Sequence, residues 1–241
     1  GSSTSGGGYG GTNSIFGGDK DDSITVSATG ATLAVGMQAG IDGKFTPAFN
    51  EINYGLGKAT VTIAAEATGD NGQAAGMMAY KGGENSITSV EGTVNVNVTA
   101  DGLAIGMGAN GTNARNSITA SEVNLDVSTT GNGSAYGMRA ESGGINSIRA
   151  SEGHGITVII KVAAGSADKA YALYTSGSGK NEIIGSDKGD LVAITGRIAG
   201  NNFIDTGAGK DTISLNGKVT NLVLKAWDWH DPLVLKASNA Q

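Results

Sequence analysis

A short signature, Asn-x-Ile, returns seven times along this chain and restricts the folds open to it. Successive copies are separated by 37, 35, 31, 30, 35 and 21 residues. A repeat of about 30 residues is too thin to bury its own apolar face, so neighbouring repeats must stack to form a core. The copies are Asn13/Ile15, Asn50/Ile52, Asn85/Ile87, Asn116/Ile118, Asn146/Ile148, Asn181/Ile183 and Asn202/Ile204.

Two further signatures recur in the same order between copies of Asn-x-Ile. One is an alternating apolar run, such as Val94-x-Val96-x-Val98 or Ile156-x-Val158-x-Ile160-x-Val162. Alternation with a period of two indicates a strand with one buried and one wet face. The other is Ala-x-Gly-Met, which is softened to Ala170-Tyr171-Ala172-Leu173 in the fifth unit and otherwise occurs at Ala34–Met37, Ala74–Met77, Ala104–Met107 and Ala135–Met138. Each unit therefore offers three short strands.

Three strands joined by Gly, Ser and Asn turns form one closed coil, and coils stack about 4.8 Å apart when equivalent strands pair in parallel. The sequence predicts an all-β fold, a parallel β-helix (β-solenoid) of about seven coils with repeats of roughly 30 residues. An antiparallel β-sandwich is the alternative, because short strands at regular spacing also occur there. We predict a linker or expression tail at 1–12, the solenoid at 13–215 and a C-terminal capping segment at 216–241.

A solenoid explains why particular residue types recur at fixed positions of the repeat. A recurring Asn predicts a ladder of side-chain amides that bond to the next coil or to a turn. A recurring Gly before Met predicts a corner that needs positive φ or a close backbone approach. The methionines should form an interior stack: Met37, Met77, Met107 and Met138.

Composition excludes several classes of protein. With a net charge of −6, the chain lacks the excess of positive charge that is typical of nucleic-acid-binding proteins. The chain has no cysteine, and no stretch approaches the roughly 20 apolar residues that span a bilayer. We expect no nucleic-acid partner and no membrane span, and we expect the chain to be a segment of a longer protein.

Acidic, Gly-containing turns follow three of the Asn-x-Ile copies, at 17–22, 185–190 and 206–211. They resemble the G-G-x-G-x-D-x-U-x nonapeptide of RTX proteins, although Lys20 and Lys188 stand where a Gly is expected. The resemblance implies a type I secreted bacterial repeat protein, a large adhesin fragment located outside the cell or on its surface. It also implies Ca²⁺ binding, with these carboxylates as ligands: Asp19, Asp21, Asp22, Asp187, Asp190, Asp205 and Asp211. The alternative for these turns is plain solvated acidic surface.

The segment Trp227–Leu235 resembles the D-P-L-V-L lead-in to downstream Ca²⁺-binding modules of large RTX-type proteins. In self-processing relatives an Asp-Pro bond is cleaved, so the resemblance makes Asp231-Pro232 a candidate processing site. A capping segment, in which Trp227 and Trp229 cover the end of the solenoid, is the alternative.

Two functions remain open at this stage. The first is a non-catalytic structural or adhesive segment with a host-cell or carbohydrate receptor, for which Tyr136, Tyr171 and Tyr174 could supply a sugar-stacking stripe. The second is a polysaccharide-active β-helix enzyme, a lyase or hydrolase, for which Asp21-Asp22 is the one adjacent acid pair that invites attention. We expect Glu66, Glu91, Glu122 and Glu152 to lie mostly in turns, and we assign no catalytic residue. An insertion at 40–49 is either a binding loop or a loop packed over a neighbouring coil.

Overall fold

A computed structural model of the chain describes residues 11–17, 22–40, 47–55, 58–226 and 233–236. Its strands are β1 (Thr12–Gly17), β2 (Ser23–Gly30), β3 (Leu33–Ala39), β4 (Ala48–Tyr54), β5 (Thr60–Ala67), β6 (Gln73–Tyr80), β7 (Gly83–Ala100), β8 (Leu103–Asn110), β9 (Arg115–Thr129), β10 (Ser134–Glu141), β11 (Ile145–Ala150), β12 (Thr157–Ala163), β13 (Ala170–Ser176), β14 (Lys180–Ser186), β15 (Leu191–Thr195), β16 (Arg197–Gly207), β17 (Thr212–Asn216), β18 (Val219–Lys225) and β19 (Leu233–Lys236). The described part of the chain holds one helical turn, Ala167–Lys169, and no helix that could cross a membrane.

The strands form three parallel stacks, which we name by the residue that marks each. The asparagine face contains β1, β4, the first part of β7 and of β9, β11, β14 and the last part of β16 and of β18. The valine face contains β2, β5, the second part of β7 and of β9, β12, β15, β17 and β19. The methionine face contains β3, β6, β8, β10, β13 and the first part of β16 and of β18.

Every strand pairing in the described chain is parallel, which excludes the antiparallel sandwich and confirms the predicted parallel β-solenoid. Five full-length coils run from Thr12 to Ser176, slightly fewer than the seven expected. The windings after Ser176 are shorter, because β15 and β17 have five residues each and the asparagines of the last two copies are 21 residues apart. Parallel pairing nevertheless continues through β18 and β19.

The predicted asparagine ladder is confirmed over its whole length. Each Nδ2 donates to the Oδ1 of the equivalent asparagine in the next coil, at 2.8 to 3.0 Å, in the order Asn13, Asn50, Asn85, Asn116, Asn146, Asn181 and Asn202. From Asn85 onward these side chains are buried. A buried amide is costly unless its polar atoms are bonded, and here each amide bonds the coil beside it.

The same Nδ2 groups also close a corner of each coil. Asn85 donates to the carbonyl of Met78 at 3.0 Å, Asn116 to that of Gly108 at 2.7 Å and Asn146 to that of Arg139 at 2.9 Å. These carbonyls lie in the methionine strand that immediately precedes each asparagine strand. One side chain therefore joins two coils and two faces of the solenoid.

The glycine before each methionine lies inside a strand of the methionine face, not at the predicted corner, and it allows close backbone approach there. A Cβ on Gly76 would lie 2.8 Å from the carbonyl oxygen of Gly106, and one on Gly106 would lie 2.6 Å from that of Gly137. Neither glycine has a positive φ, so close approach, rather than left-handed backbone, requires glycine there. The predicted interior methionine stack is present, with Met77, Met107 and Met138 buried.

We expect Asn116→Ala to lower the free energy of unfolding by about 3 kcal/mol, because it leaves buried polar atoms of Asn85, Asn146 and Gly108 without their partners. Urea unfolding followed by circular dichroism measures the change. The matched control is Asn124→Ala on the valine face, where Asn124 bonds Asn95 at 3.0 Å but is half-buried. The control should cost less than about 1 kcal/mol, and equal losses in the two variants would contradict a special role for the ladder.

Candidate functional site

Of the acidic turns that resemble RTX repeats, the first lies in the first coil and the other two lie in neighbouring later coils. Asp22 is exposed just before β2 in the first coil, whereas Asp187 and Asp190 follow β14. Asp19 and Asp21 lie outside the described residues. Asp187 is exposed and 3.8 Å from the Nζ of Lys188, and the Oδ1 of Asp205 accepts the N–H of Gly207 at 3.1 Å. In the part of the chain that the structure describes, no group of three or more acidic, His or Cys side chains is arranged to hold a metal ion.

Asp190 and Asp211 are the two carboxylates that stacking brings together. The strands that follow them pair Leu191 with Thr212, so the two turns are equivalent in neighbouring coils. Both side chains are buried, and each accepts backbone N–H groups. Asp211 accepts the N–H of Asp190 at 2.9 Å, while Asp190 accepts the N–H of Ile156 at 2.6 Å and of Ser186 at 2.8 Å. These carboxylates therefore fasten the turns of successive coils.

Burial raises the pKa of Asp190 above the ordinary value of an aspartate, and the negative charge of Asp211 adds to this rise. The backbone N–H groups of Ile156 and Ser186 oppose the rise because they stabilise the carboxylate, but they do not cancel it. The interaction that fastens these turns is therefore sensitive to pH.

Three tyrosines form a compact group on the outside of the methionine face. The rings of Tyr136 and Tyr171 stack with centroids 5.3 Å apart and 11° between their planes. Tyr174 meets both rings edge-on, with centroids 5.3 Å from Tyr136 and 5.2 Å from Tyr171. The sequence predicted a tyrosine stripe here, and the structure gathers the rings into one half-buried cluster.

Two arginines frame this cluster, and the sequence analysis did not connect them with it. Arg139 lies over the ring of Tyr136 at 5.0 Å, and Arg197 lies over that of Tyr171 at 4.7 Å. Glu141 holds Arg139 in place with an ion pair of 2.9 Å. The register explains the grouping, since Tyr136, Tyr171 and Arg197 occupy one column of the stack. We call Tyr136, Tyr171, Tyr174, Arg139 and Arg197 the tyrosine patch.

The fold itself does not require aromatic residues in these columns. The column of Tyr136 and Tyr171 contains Ala75 and Ile105 in earlier coils. The neighbouring column, which holds Arg139 and Tyr174, contains Met78 and Gly108. Residues without aromatic rings thus occupy the same backbone positions elsewhere in the rod, so the patch is an added surface feature.

A cleft of about 490 Å³ opens beside the patch, at the corner between the valine and methionine faces. Its charged and polar lining includes Asp168, Thr195, Arg197, Asn216 and Lys218, and we call it the corner cleft. Arg197 belongs to both the cleft and the tyrosine patch, so the two form one continuous surface.

The cleft arises from a change in corner length. In the fifth coil, residues 164–169 connect the two faces and include the helical turn Ala167–Lys169. In the next two coils a single Gly196 and the pair Gly217-Lys218 make the same connection. The long corner of the fifth coil is therefore stacked next to the short corners of the following two coils, and this difference in length creates the cleft. Gly196 has a φ of 132°, a conformation that favours glycine, and its N–H donates to the carbonyl of Asn216 at 2.9 Å.

The glutamates differ in where they lie and in how far they are buried. The expectation that they lie mostly in turns is wrong for Glu66, Glu91 and Glu122, which lie in β5, β7 and β9 because their side chains take outward positions of the alternating strands. The best-buried glutamate is Glu182. Burial acts to raise its pKa, but hydrogen bonds from Lys180 and Ser147 and the charge of Arg149 outweigh burial and lower it. Glu182 is thus stabilised as a carboxylate.

The pKa of Asp190 is higher in the folded than in the unfolded state, so protonated Asp190 contributes to the free energy of unfolding. This contribution is complete below the unfolded-state pKa of about 4 and is lost as the pH rises through the folded-state pKa. We therefore expect the stability advantage of the natural protein over Asp190→Asn to shrink between about pH 3 and pH 7. Urea unfolding of both proteins across this range measures it. Asp187→Asn, in the same turn but exposed, is the control and should stay within about 0.5 kcal/mol of the natural protein. An advantage that grows with pH would contradict the assignment.

Comparisons of this chain with models of protein families, with curated proteins and with solved structures find no match.

Proposed function

We propose that this chain is a non-catalytic structural and adhesive segment of a large secreted or cell-surface bacterial protein. The observation that supports it best is the unbroken asparagine ladder, which ties seven successive windings into one rod. Repeats that contact only their neighbours suit a segment that sets distance and presents a lateral surface. The extracellular bacterial setting rests on the resemblance of the acidic turns to RTX repeats.

The adhesive part of the proposal rests on the tyrosine patch and the corner cleft. Both lie on the side of the rod, where a partner can reach them without entering the core. Half-buried aromatic rings next to arginines, as in the tyrosine patch, are typical of binding surfaces, because the pair offers apolar contact and charge together. A polysaccharide-active enzyme is the competing function, since solenoids also host such enzymes.

A panel of neutral and acidic polysaccharides separates the two functions. Beads coated with the protein should be retained on at least one immobilised member of the panel, while the same polysaccharide in solution keeps its chain length. New reducing ends, or the ultraviolet absorbance of unsaturated sugar ends, would contradict the non-catalytic proposal. Beads coated with an unrelated protein of similar negative charge serve as the control.

Calcium is proposed as a ligand of the later coils, as the resemblance to RTX turns implies. Asp190 and Asp211 are buried, whereas Asp187 is exposed and Asp205 is half-buried, so the last two have the more accessible carboxylates of these turns. A ligand that binds the folded state stabilises it by mass action, so we expect the melting temperature to rise with Ca²⁺ and the double variant Asp187→Asn/Asp205→Asn to reduce that rise. Mg²⁺ at equal concentration is the control. A melting curve unchanged between excess Ca²⁺ and chelator would remove this proposal.

A further inference from the structure

We infer that the tyrosine patch and the corner cleft together bind an acidic glycan, a sugar chain that bears carboxylates or sulfates. This inference rests on the proposed adhesive function and names the class of ligand for that same surface. It depends on three observations: the packing of the rings, the charge beside them and the polar lining of the cleft.

The rings offer an apolar platform with polar rims. Tyr136 and Tyr171 stack across two coils, and Tyr174 extends the aromatic surface along one coil. Because Tyr136 and Tyr171 stack on each other and carry Arg139 and Arg197 over their rings, their edges and hydroxyls, rather than free ring faces, would contact a sugar. The hydroxyl of Tyr136 already bonds the side chain of Ser134. Burial raises the pKa of Tyr136, so its hydroxyl stays protonated and able to donate at neutral pH.

The charge beside the rings selects an anion. Arg197 and Lys218 both line the cleft, and neither forms an ion pair with a carboxylate in the described part of the chain. Arg197 is also oriented, because it donates to the backbone carbonyl of Asp168 and stacks on Tyr171. A guanidinium held in this way can meet a carboxylate or sulfate with two parallel hydrogen bonds.

Asp168 offsets one of the two cations of the cleft, Arg197 and Lys218, so the charged lining stays net positive and contrasts with the whole molecule, whose net charge is −6. A long polyanion would be repelled by most of such a surface, so it needs a local pair of cations to bind. Arg139 adds a third cation, but Glu141 already neutralises it. The cations at Arg197 and Lys218 therefore set where along the rod the acidic groups of the glycan lie.

The polar lining of the cleft fits the hydroxyl groups of a sugar. Thr195 supplies a hydroxyl, Asn216 an amide and Asp168 a carboxylate that accepts hydrogen bonds. A volume of about 490 Å³ lies in the range of small-molecule sites and accommodates one or two sugar units. The neighbouring units of the chain would then lie across Tyr171, Tyr174 and Tyr136.

Isothermal titration calorimetry with tetragalacturonate, a heparin-derived tetrasaccharide and neutral cellotetraose tests the inference. The natural protein should bind at least one acidic probe about tenfold more tightly than cellotetraose, and binding should weaken as NaCl is raised. Comparing the two acidic probes identifies whether carboxylate or sulfate is preferred. Tyr171→Ile and Arg197→Gln should each weaken acidic binding about tenfold.

The variants are chosen so that folding does not obscure the result. Isoleucine already occupies the Tyr171 column at Ile105, so Tyr171→Ile suits that backbone position. Phe16→Ala and Arg115→Gln remove an exposed aromatic and an exposed cation from the asparagine face, and they should stay within about twofold of the natural protein. Melting temperatures of all four variants confirm that they are folded.

Three outcomes overturn the inference: no acidic probe binds, cellotetraose binds equally well, or the controls lose as much affinity as the patch variants. If acidic probes fail while coated beads are still retained on another polysaccharide, the ligand class is wrong and the adhesive proposal stands. If the acidic probes bind at the patch but are cleaved, the site stands and the non-catalytic proposal falls.

Discussion

The hydrogen bond between asparagine side chains of neighbouring coils is the interaction on which the rest of this structure depends. A parallel stack can slip by one residue, which would turn every apolar side chain outward. The ladder opposes such a slip because the amide of Asn116 has its partners only when Asn85, Asn146 and the carbonyl of Gly108 are all in place. Burial makes this condition strict, since a misplaced amide would lose its bonds without gaining water.

The asparagine ladder fixes the register between neighbouring coils but not the number of residues in each coil. Ladder neighbours are as few as 21 and as many as 37 residues apart, yet their Nδ2–Oδ1 distances stay between 2.8 and 3.0 Å. The difference is absorbed at corners, where the backbone leaves the sheet, and after Ser176 also in the shorter strands β15 and β17. Corners can therefore lengthen, shorten or acquire a helical turn without disturbing the core, and this freedom makes the corner between the valine and methionine faces a place where a cleft can form.

The sequence predicted the fold well because the fold repeats. Columns of Asn, Ile and Met are visible as spacing, and stacking follows from the inability of one coil to bury its own face. It predicted the surfaces less well. Asp190 looks like a cation ligand in the sequence, but whether its oxygens face a cation or the N–H groups of Ile156 and Ser186 depends on the depth of the turn. Arg197 was missed because only the register, through β13 and β16, places it beside Tyr171.

The register also separates what the fold needs from what has been added to it. Where a column carries the same residue type in every coil, as the asparagines do, stacking alone explains the choice. Where a column changes from Ala75 and Ile105 to Tyr136, Tyr171 and then Arg197, the stacking requirement is unchanged but the chemistry is not. A repeat protein thus contains its own internal comparison. The positions that depart from their column, rather than the positions that keep to it, are those that we propose to contact another molecule.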